Sequence, residues 1–164
     1  MAGLLFPKSG TINILEHQPH KRVASFLADC FLIPEDHYIP KMSMNTFTKL
    51  YAPLYPKFDR DLFARLIEEF ELDTTQNLKQ SSLGQKKKAM LAFALATQVR
   101  MHLMDEPTNG LDIPSKKQFR KIIAQSINSE RTFIISTHQI RDLQNLLDSI
   151  IILDQGKIIF QNSL

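Results

Sequence analysis

The sequence is short of cysteine, glycine and long apolar runs, and each shortage removes a class of protein. One cysteine, Cys30, in 164 residues excludes an internal disulfide and fits a reducing compartment. Its apolar neighbours make it a small core residue rather than a nucleophile. The longest apolar stretches, AMLAFALA and SIIILD, fall well short of the roughly 18 to 20 residues that a membrane helix needs, and no signal peptide is expected at the start. If a membrane matters, a partner provides it. The five glycines, Gly3, Gly10, Gly84, Gly110 and Gly156, never stand at the spacing G-x-x-x-x-G-K-[ST], whose backbone NH groups wrap phosphates while the Lys neutralises them. Charge of neither sign dominates: 20 Lys and Arg against 17 Asp and Glu is too small an excess to argue for nucleic acid. The one tight basic cluster, Lys86 to Lys88, is expected on a solvated helix face. His17 and His20 stand at H-x-x-H spacing without an acidic third ligand, so no zinc site is expected. Internal repeats and low-complexity linkers are absent from the sequence.

What is present reads as one ordinary domain, 43% hydrophobic and 23% charged, with enough chain for a sizeable core. In the C-terminal half, short β-branched runs alternate with helical segments of about a dozen residues, the rhythm of a parallel sheet with crossover helices. The expected strands are MHLM before Asp105, TFIIST at 132–137, and SIIIL at 149–153 followed by KIIF at 157–160, with Gly156 in a tight turn between the last two. Between them, Pro114 suits the first turn of a helix carrying Phe119, Ile122, Ile123 and Ile127 on one face. A second helix is expected from Gln139 to Leu147. The segment from Pro40 to Ala96 is helical without strand signals: DRDLFARLIEEFEL puts Leu62, Phe63, Leu66, Ile67 and Phe70 on one face, and another helix runs from about Gln85. Ahead of it, TINIL at 11–15 reads as a strand, KRVASFLAD as a short helix and CFLI at 30–33 as a strand. The reading is an α/β core, 1–35 and 97–164, interrupted by a helical lobe at 36–96.

Chemistry enters at LMDEPTNGLD, residues 103–112, where an apolar run ends in two adjacent carboxylates. In open parallel sheets ligands sit beyond the carboxyl ends of the strands. There Asp105 and Glu106 follow one strand, His138 another, and Glu35 a third. A carboxylate for magnesium, a carboxylate that takes a proton from water and an imidazole that donates to a phosphoryl oxygen together suit hydrolysis of a nucleoside triphosphate.

At these residues a resemblance becomes specific. HLMDEPTNGLD resembles the Walker B strand, catalytic glutamate and D-loop of ABC-type ATPases, SSLGQKKKAMLAFALA at 81–96 is similar to their signature segment and helix, and STHQ resembles their switch histidine. The resemblance implies a P-loop NTPase-like parallel-sheet core, incomplete at the N-terminus, with an inserted helical lobe. It implies ATP and magnesium as ligands. Asp105 then holds magnesium through water, Glu106 polarises the attacking water and His138 contacts the γ-phosphate. Glu35 stands where the family usually has Gln. Ser82, Gly84 and Gln85 match signature positions that bind nucleotide held by a second subunit, although Ser81 and Leu83 depart from the usual Leu and Gly, and Leu83 narrows the backbone's approach to phosphate. Asn109 to Asp112 lie across the dimer interface in this reading, with Asp112 among the nucleotide-binding residues.

LYAPLYPKFDRDLFARLIEEFEL and FLIPED look more like ATPase subunits of drug- or peptide-type exporters than importers. The implied partners are a membrane-spanning permease and a second ATPase subunit, with the chain on the cytoplasmic side of the membrane. The phosphate loop of the family lies immediately upstream of a segment like AGLLFPKSGTINIL, so the chain is expected to begin inside the helix that follows that loop and to be inactive alone. An alternative is a non-catalytic interaction module that pairs with a complete ATPase. ABC-type ATPases of DNA repair or translation are disfavoured, because no coiled-coil insertion or tandem domain is seen.

Overall fold

The computed structural model describes residues 1–36, 40–143 and 145–163. Its centre is a parallel sheet in the order β1 (Cys30–Ile33), β2 (Met101–Asp105) and β3 (Thr132–Ser136). The register pairs Ile33 with Met104 and Asp105 with Ser136, so the three carboxyl ends lie side by side. Met101 to Met104 are all buried, as expected of a central parallel strand covered on both faces.

Among the described residues five α-helices accompany the sheet: α1 (Ala24–Ala28), α2 (Met44–Tyr51), α3 (Arg60–Glu69), α4 (Leu83–Ala96) and α5 (Ile113–Ser126). Four of them start where the sequence offers an oxygen to the unpaired amides of a first turn. Ser43 caps α2, Asp59 caps α3, Ser82 caps α4 and Asp112 caps α5. Helix α4 is the keel of the molecule. From Leu91 to Ala96 every residue is buried, and the Phe93 ring is met by those of Phe31, Phe47, Tyr55, Phe58 and Phe63 at centroid distances of 5.0 to 6.4 Å. Alternating Ala residues keep the helix slender enough for the sheet and α3 to approach from different sides. Residues of the helical segment and of the sheet therefore share one apolar core.

Four expectations change. TINIL is not a strand: Ile14 and His17 form an isolated bridge around Leu15 and Glu16, both left-handed at φ 49° and 66°, so the chain reverses before a ladder can grow. KRVASFLAD breaks into a 3₁₀ turn at Pro19–Lys21 and the short α1, because Arg22 between them is left-handed at φ 45°. The expected helix from Gln139 shrinks to a 3₁₀ turn at Ile140–Asp142; Gln144 lies outside the described residues. Tertiary ties override its helical periodicity, since Asp142 is drawn to Lys116 at 2.7 Å and Leu143 is buried. Finally, SIIIL does not extend the parallel sheet. It forms β4 (Ser149–Asp154), paired antiparallel only with β5 (Lys157–Ser163). The turn between them puts Gln155 and Gly156 at φ 45° and 76°, the conformation that two-residue hairpins favour. Among the described residues, no helix is long and apolar enough to cross a membrane.

Candidate functional site

The site is built at the carboxyl edge of the sheet, where each strand delivers its first polar residue. Asp105, the exposed last residue of β2, accepts a 2.6 Å hydrogen bond from Ser136 Oγ at the end of β3. Glu106 extends the pairing by one amide, donating to Ser136 O at 2.9 Å, and then turns sharply at φ 43°. A left-handed glutamate is costly by roughly 1 kcal/mol or more and persists only where surrounding contacts impose it.

Those contacts are visible. Glu106 Oε1 accepts from the backbone amide of His138 at 2.9 Å and from His138 Nδ1 at 2.7 Å, while Oε2 accepts from Thr137 Oγ1 at 3.1 Å. Partial burial pushes the Glu106 carboxyl up, and the donors from His138 and Thr137 more than offset this, leaving it below the ordinary carboxylate value. The side chain of Glu106 is only 15% exposed, whereas that of His138 is 68% exposed. The carboxylate is thus held rigidly and ionised, with an imidazole beside it that reaches solvent.

Glu35, two residues beyond β1, joins from the other side by accepting from Asn109 Nδ2 at 2.6 Å. The structure therefore brings Asp105, Glu106, His138 and Glu35 to one edge of the sheet. Ser82, Gly84 and Gln85 lie apart from them, at the N-terminus of α4. Ser82 Oγ accepts from Gln85 N and the Gln85 side chain accepts from Ser82 N, a reciprocal capping box. Leu83 is 53% exposed and leans on the next loop, its Cδ2 only 2.8 Å from where a Cβ on Gly110 would stand. Asp112 accepts from Ser115 N as the cap of α5, and that bonding holds its carboxyl below the usual value.

Sequence reasoning missed three participants. Ser136 and Thr137 sit in the stretch TFIIST, where β-propensity hid their hydroxyls. Lys87 corrects the expectation of a solvated lysine cluster: it is 7% exposed, and its Nζ donates to the carbonyls of Glu106 at 2.9 Å and Asn109 at 2.7 Å. The signal was available, since Lys87 lies four residues before the buried Leu91 and so on its helical face. Cys30 is half-buried, and burial pushes its thiol up, away from nucleophilic use.

The donors at this edge are oxygens, with a single imidazole among them, which suits a hard cation such as magnesium better than zinc. Among the described residues no group of three or more His, Cys, Asp or Glu forms a metal cage. Magnesium usually keeps several waters and needs only one or two carboxylates, so Asp105 fits that role.

A parallel α/β sheet that ends in an Asp-Glu pair, with a histidine on the neighbouring strand end, is the arrangement expected of a nucleotide-binding domain. Comparison with known proteins places the chain more narrowly. The ABC transporter family matches residues 1–109. The ABC transporter ATP-binding protein NatA of Bacillus subtilis is 37% identical, over 100% of this chain and 70% of its own length. The chain belongs to the ABC transporter ATP-binding family. It is also 23% identical to YtrB of Bacillus subtilis over 94% of its residues, while spanning about half, 53%, of that protein. A solved structure of an ATP-binding subunit of an ABC transporter superposes with a TM-score of 0.87 at 22% identity, covering 99% of this chain and 70% of that one. The fold is that of an ABC ATPase.

Proposed function

We propose that this chain is the ATP-hydrolysing portion of an ABC transporter, exporter-like in direction, and that it works as one of two ATPase subunits beneath a membrane-spanning permease. The observation that carries the reading is Glu106, ionised and held by His138 and Thr137 directly beside Asp105. ATP, when bound, supplies the phosphoryl group to be transferred to water. Asp105 would hold the accompanying magnesium through water. Glu106 orients the attacking water and accepts its proton, helped by a fixed geometry that requires no reorganisation. His138, exposed and hydrogen-bonded through Nδ1 to Glu106, presents its other ring nitrogen toward solvent, where a γ-phosphate oxygen would lie. That nitrogen, Nε2, is 3.2 Å from the Gln139 side chain, so Gln139 can steady the ring.

The signature end plays a separate part in this proposal. Ser82 and Gly84, at the positive end of a 14-residue helix, act on nucleotide held by the partner subunit, with Gln85 locking the cap and Asp112 at the subunit boundary. In this proposal the helical lobe expected from the sequence carries this end, and the permease fixes the chain to the inner face of the membrane. The resemblance of LYAPLYPKFD and FLIPED to exporter ATPases supports the direction.

The test is Glu106→Gln in an assembly that binds ATP. Steady-state hydrolysis should be abolished while ATP binding persists and an ATP-bound dimer accumulates; undiminished turnover would remove Glu106 from the role of base. A second reading is favoured by the glycine spacing. These 164 residues contain no G-x-x-x-x-G-K motif, and in this second reading the chain serves only as an interaction module that offers Ser82 and Gly84 to a complete ATPase. Loss of turnover in a mixed pair on Ser82→Ala but not on Glu106→Gln would select that reading.

A further inference from the structure

The buried lysine of α4 has no part in the chemistry above, yet it holds the turn that carries Glu106 and Asn109. Lys87 is 7% exposed, and its ammonium donates to two carbonyls of one turn, Glu106 O at 2.9 Å and Asn109 O at 2.7 Å. That turn is closed by Asn109 N donating to Glu106 O at 3.1 Å, so the two carbonyls mark its beginning and its end. Glu106 enters it with a left-handed backbone, and Asn109 leaves it with a side-chain amide bonded to Glu35 at 2.6 Å.

The geometry points to Lys87 as a positioning residue: it clamps the Glu106–Asn109 turn to α4, and so couples the helix end bearing Ser82 and Gly84 to the carboxylate of Glu106 and, through Asn109, to Glu35. Three physical points support this. First, an ammonium has no acceptor capacity and three donors, so a buried lysine must find oxygens, and here two of them are backbone carbonyls that no side-chain substitution in the turn removes. Second, the strand ends gather Glu35, Asp36 and Glu106. Burial holds the Lys87 ammonium below its usual value, and these carboxylates, Glu35 first among them, offset only part of that shift. A cation among carboxylates relieves their mutual repulsion. Third, Lys87 lies five residues after Ser82 on the same helix, so a shift of the α4 end on meeting a partner's nucleotide carries the clamp with it. The inference rests on the hydrolytic reading for its functional half only; the link itself is a property of this chain.

The experiment has two arms. In the 164-residue chain, hydrogen exchange measured by NMR compares Lys87→Met and Lys87→Arg with wild type, using the amides of Leu103 and Met104 within β2 as internal reference. In Lys87→Met the Asn109 side-chain amide and the His138 backbone amide, which donates to Glu106, should exchange roughly tenfold faster relative to the reference, whereas Lys87→Arg, with donors and charge retained, should stay within about threefold of wild type. A lysine that merely stabilises the fold would raise all rates together, and that outcome overturns the link. If Lys87→Met does not fold, the wild-type ammonium decides: its protons should exchange slowly enough to be observed by nitrogen-15 detection, and rates like those of exposed lysines overturn the link.

The second arm uses the chain assembled with its partner subunits. Lys87→Met should lower kcat for ATP by about a hundredfold, the usual effect of misplacing a reacting group by an ångström, with KM within about threefold. An unchanged kcat overturns the positioning role. Absence of turnover in the wild-type assembly instead sinks the hydrolytic reading, and the exchange arm then decides the link on its own.

Discussion

His102 should make this domain acid-sensitive in a way that a single substitution abolishes. The residue sits in the middle of β2, 1% exposed, with its ring stacked on Phe133 at 4.7 Å and 14°. Nε2 lies 3.1 Å from Ala94 O. A carbonyl can only accept, so Nε2 carries the proton and Nδ1 is left as a buried lone pair, without a hydrogen-bond partner among the described residues. Burial lowers the pKa of His102 from 6.5 to about 4; the bond to Ala94 opposes the shift and the charge of Arg131 adds to it.

The sign follows from which state takes up the proton first. As pH falls through 6.5 the unfolded chain binds a proton at His102 and the folded chain does not, so the folded state loses ground until its own ring protonates near pH 4. The stability contributed by neutral His102 is complete above pH 6.5 and lost as pH falls to 4. At about 1.36 kcal/mol per pH unit, two units of this window, from 6.5 to 4.5, cost about 2.7 kcal/mol. Replacing His102 with Leu removes the titration. It gives up one hydrogen bond, about 1 kcal/mol, and the ring stacking, about 0.5 to 1.5 kcal/mol, but also removes an unsatisfied buried acceptor worth about 1 to 3 kcal/mol. The variant should therefore be near wild type at pH 7.5 and more stable than wild type at pH 4.5. Urea denaturation measures this directly: with a slope of about 2 kcal/mol per molar, the wild-type midpoint should fall by on the order of 1 M more than that of His102→Leu between the two pH values. Parallel midpoint-versus-pH curves for the two proteins would refute the reasoning.

Three other outcomes are expected. Phe93→Ala removes the ring on which five others converge and should cost about 3 to 5 kcal/mol, read from chemical denaturation, with a much smaller loss for Phe93→Leu. Gly110→Ala places a Cβ 2.8 Å from Leu83 Cδ2 at φ 75°; it should destabilise by about 1 to 3 kcal/mol, and combining it with Leu83→Ala should recover only the steric part, because the backbone strain remains. Calorimetric titration of the 164-residue chain with Mg-ATP should show no low-micromolar site: without a glycine cradle even three missing charge-assisted hydrogen bonds weaken binding by roughly 4 to 9 kcal/mol.

The parts of the fold and site that were legible in the sequence are those fixed by local chemistry. MHLM and TFIIST lie where their apolar runs put them, α5 has Pro114 in its first turn, and the hairpin turns at Gly156. Asp105, Glu106, His138 and Glu35 could be gathered in advance because parallel strands share one carboxyl edge. What was not legible depends on partners distant in sequence. IRDLQNLL has helical periodicity, but its described residues wind only at Ile140–Asp142, where Lys116 and Thr108 hold Asp142. TINIL has strand residues but, among the described residues, forms only the isolated bridge between Ile14 and His17. Lys87 reads as one of three equivalent lysines until the carbonyls of Glu106 and Asn109, 19 and 22 positions away, are brought beneath it.

The signature end shows how a helix terminus can be stable and still available to an anion. Four amides at the start of an α-helix have no partner within it. At α4 the cap uses two of the chain's donors for itself: Ser82 N is taken by the Gln85 side chain and Gln85 N by Ser82 Oγ. The amides of Leu83 and Gly84, between them, are left by helical geometry without an intrahelical acceptor, and they point out of the helix start with its dipole behind them. The capping box fixes the direction of those two amides, so a phosphate would meet a preformed donor pair and only the Ser82 hydroxyl would have to be shared. The exposed Leu83 side chain reaches Gly110, while a Cβ at Gly84 would meet only Leu111, at 3.7 Å, so Leu83 is the side chain that would border an anion at this turn. In the proposed reading, capping and phosphate binding would thus draw on different amides of one turn, and the side chain at position 83 would border the approach to them.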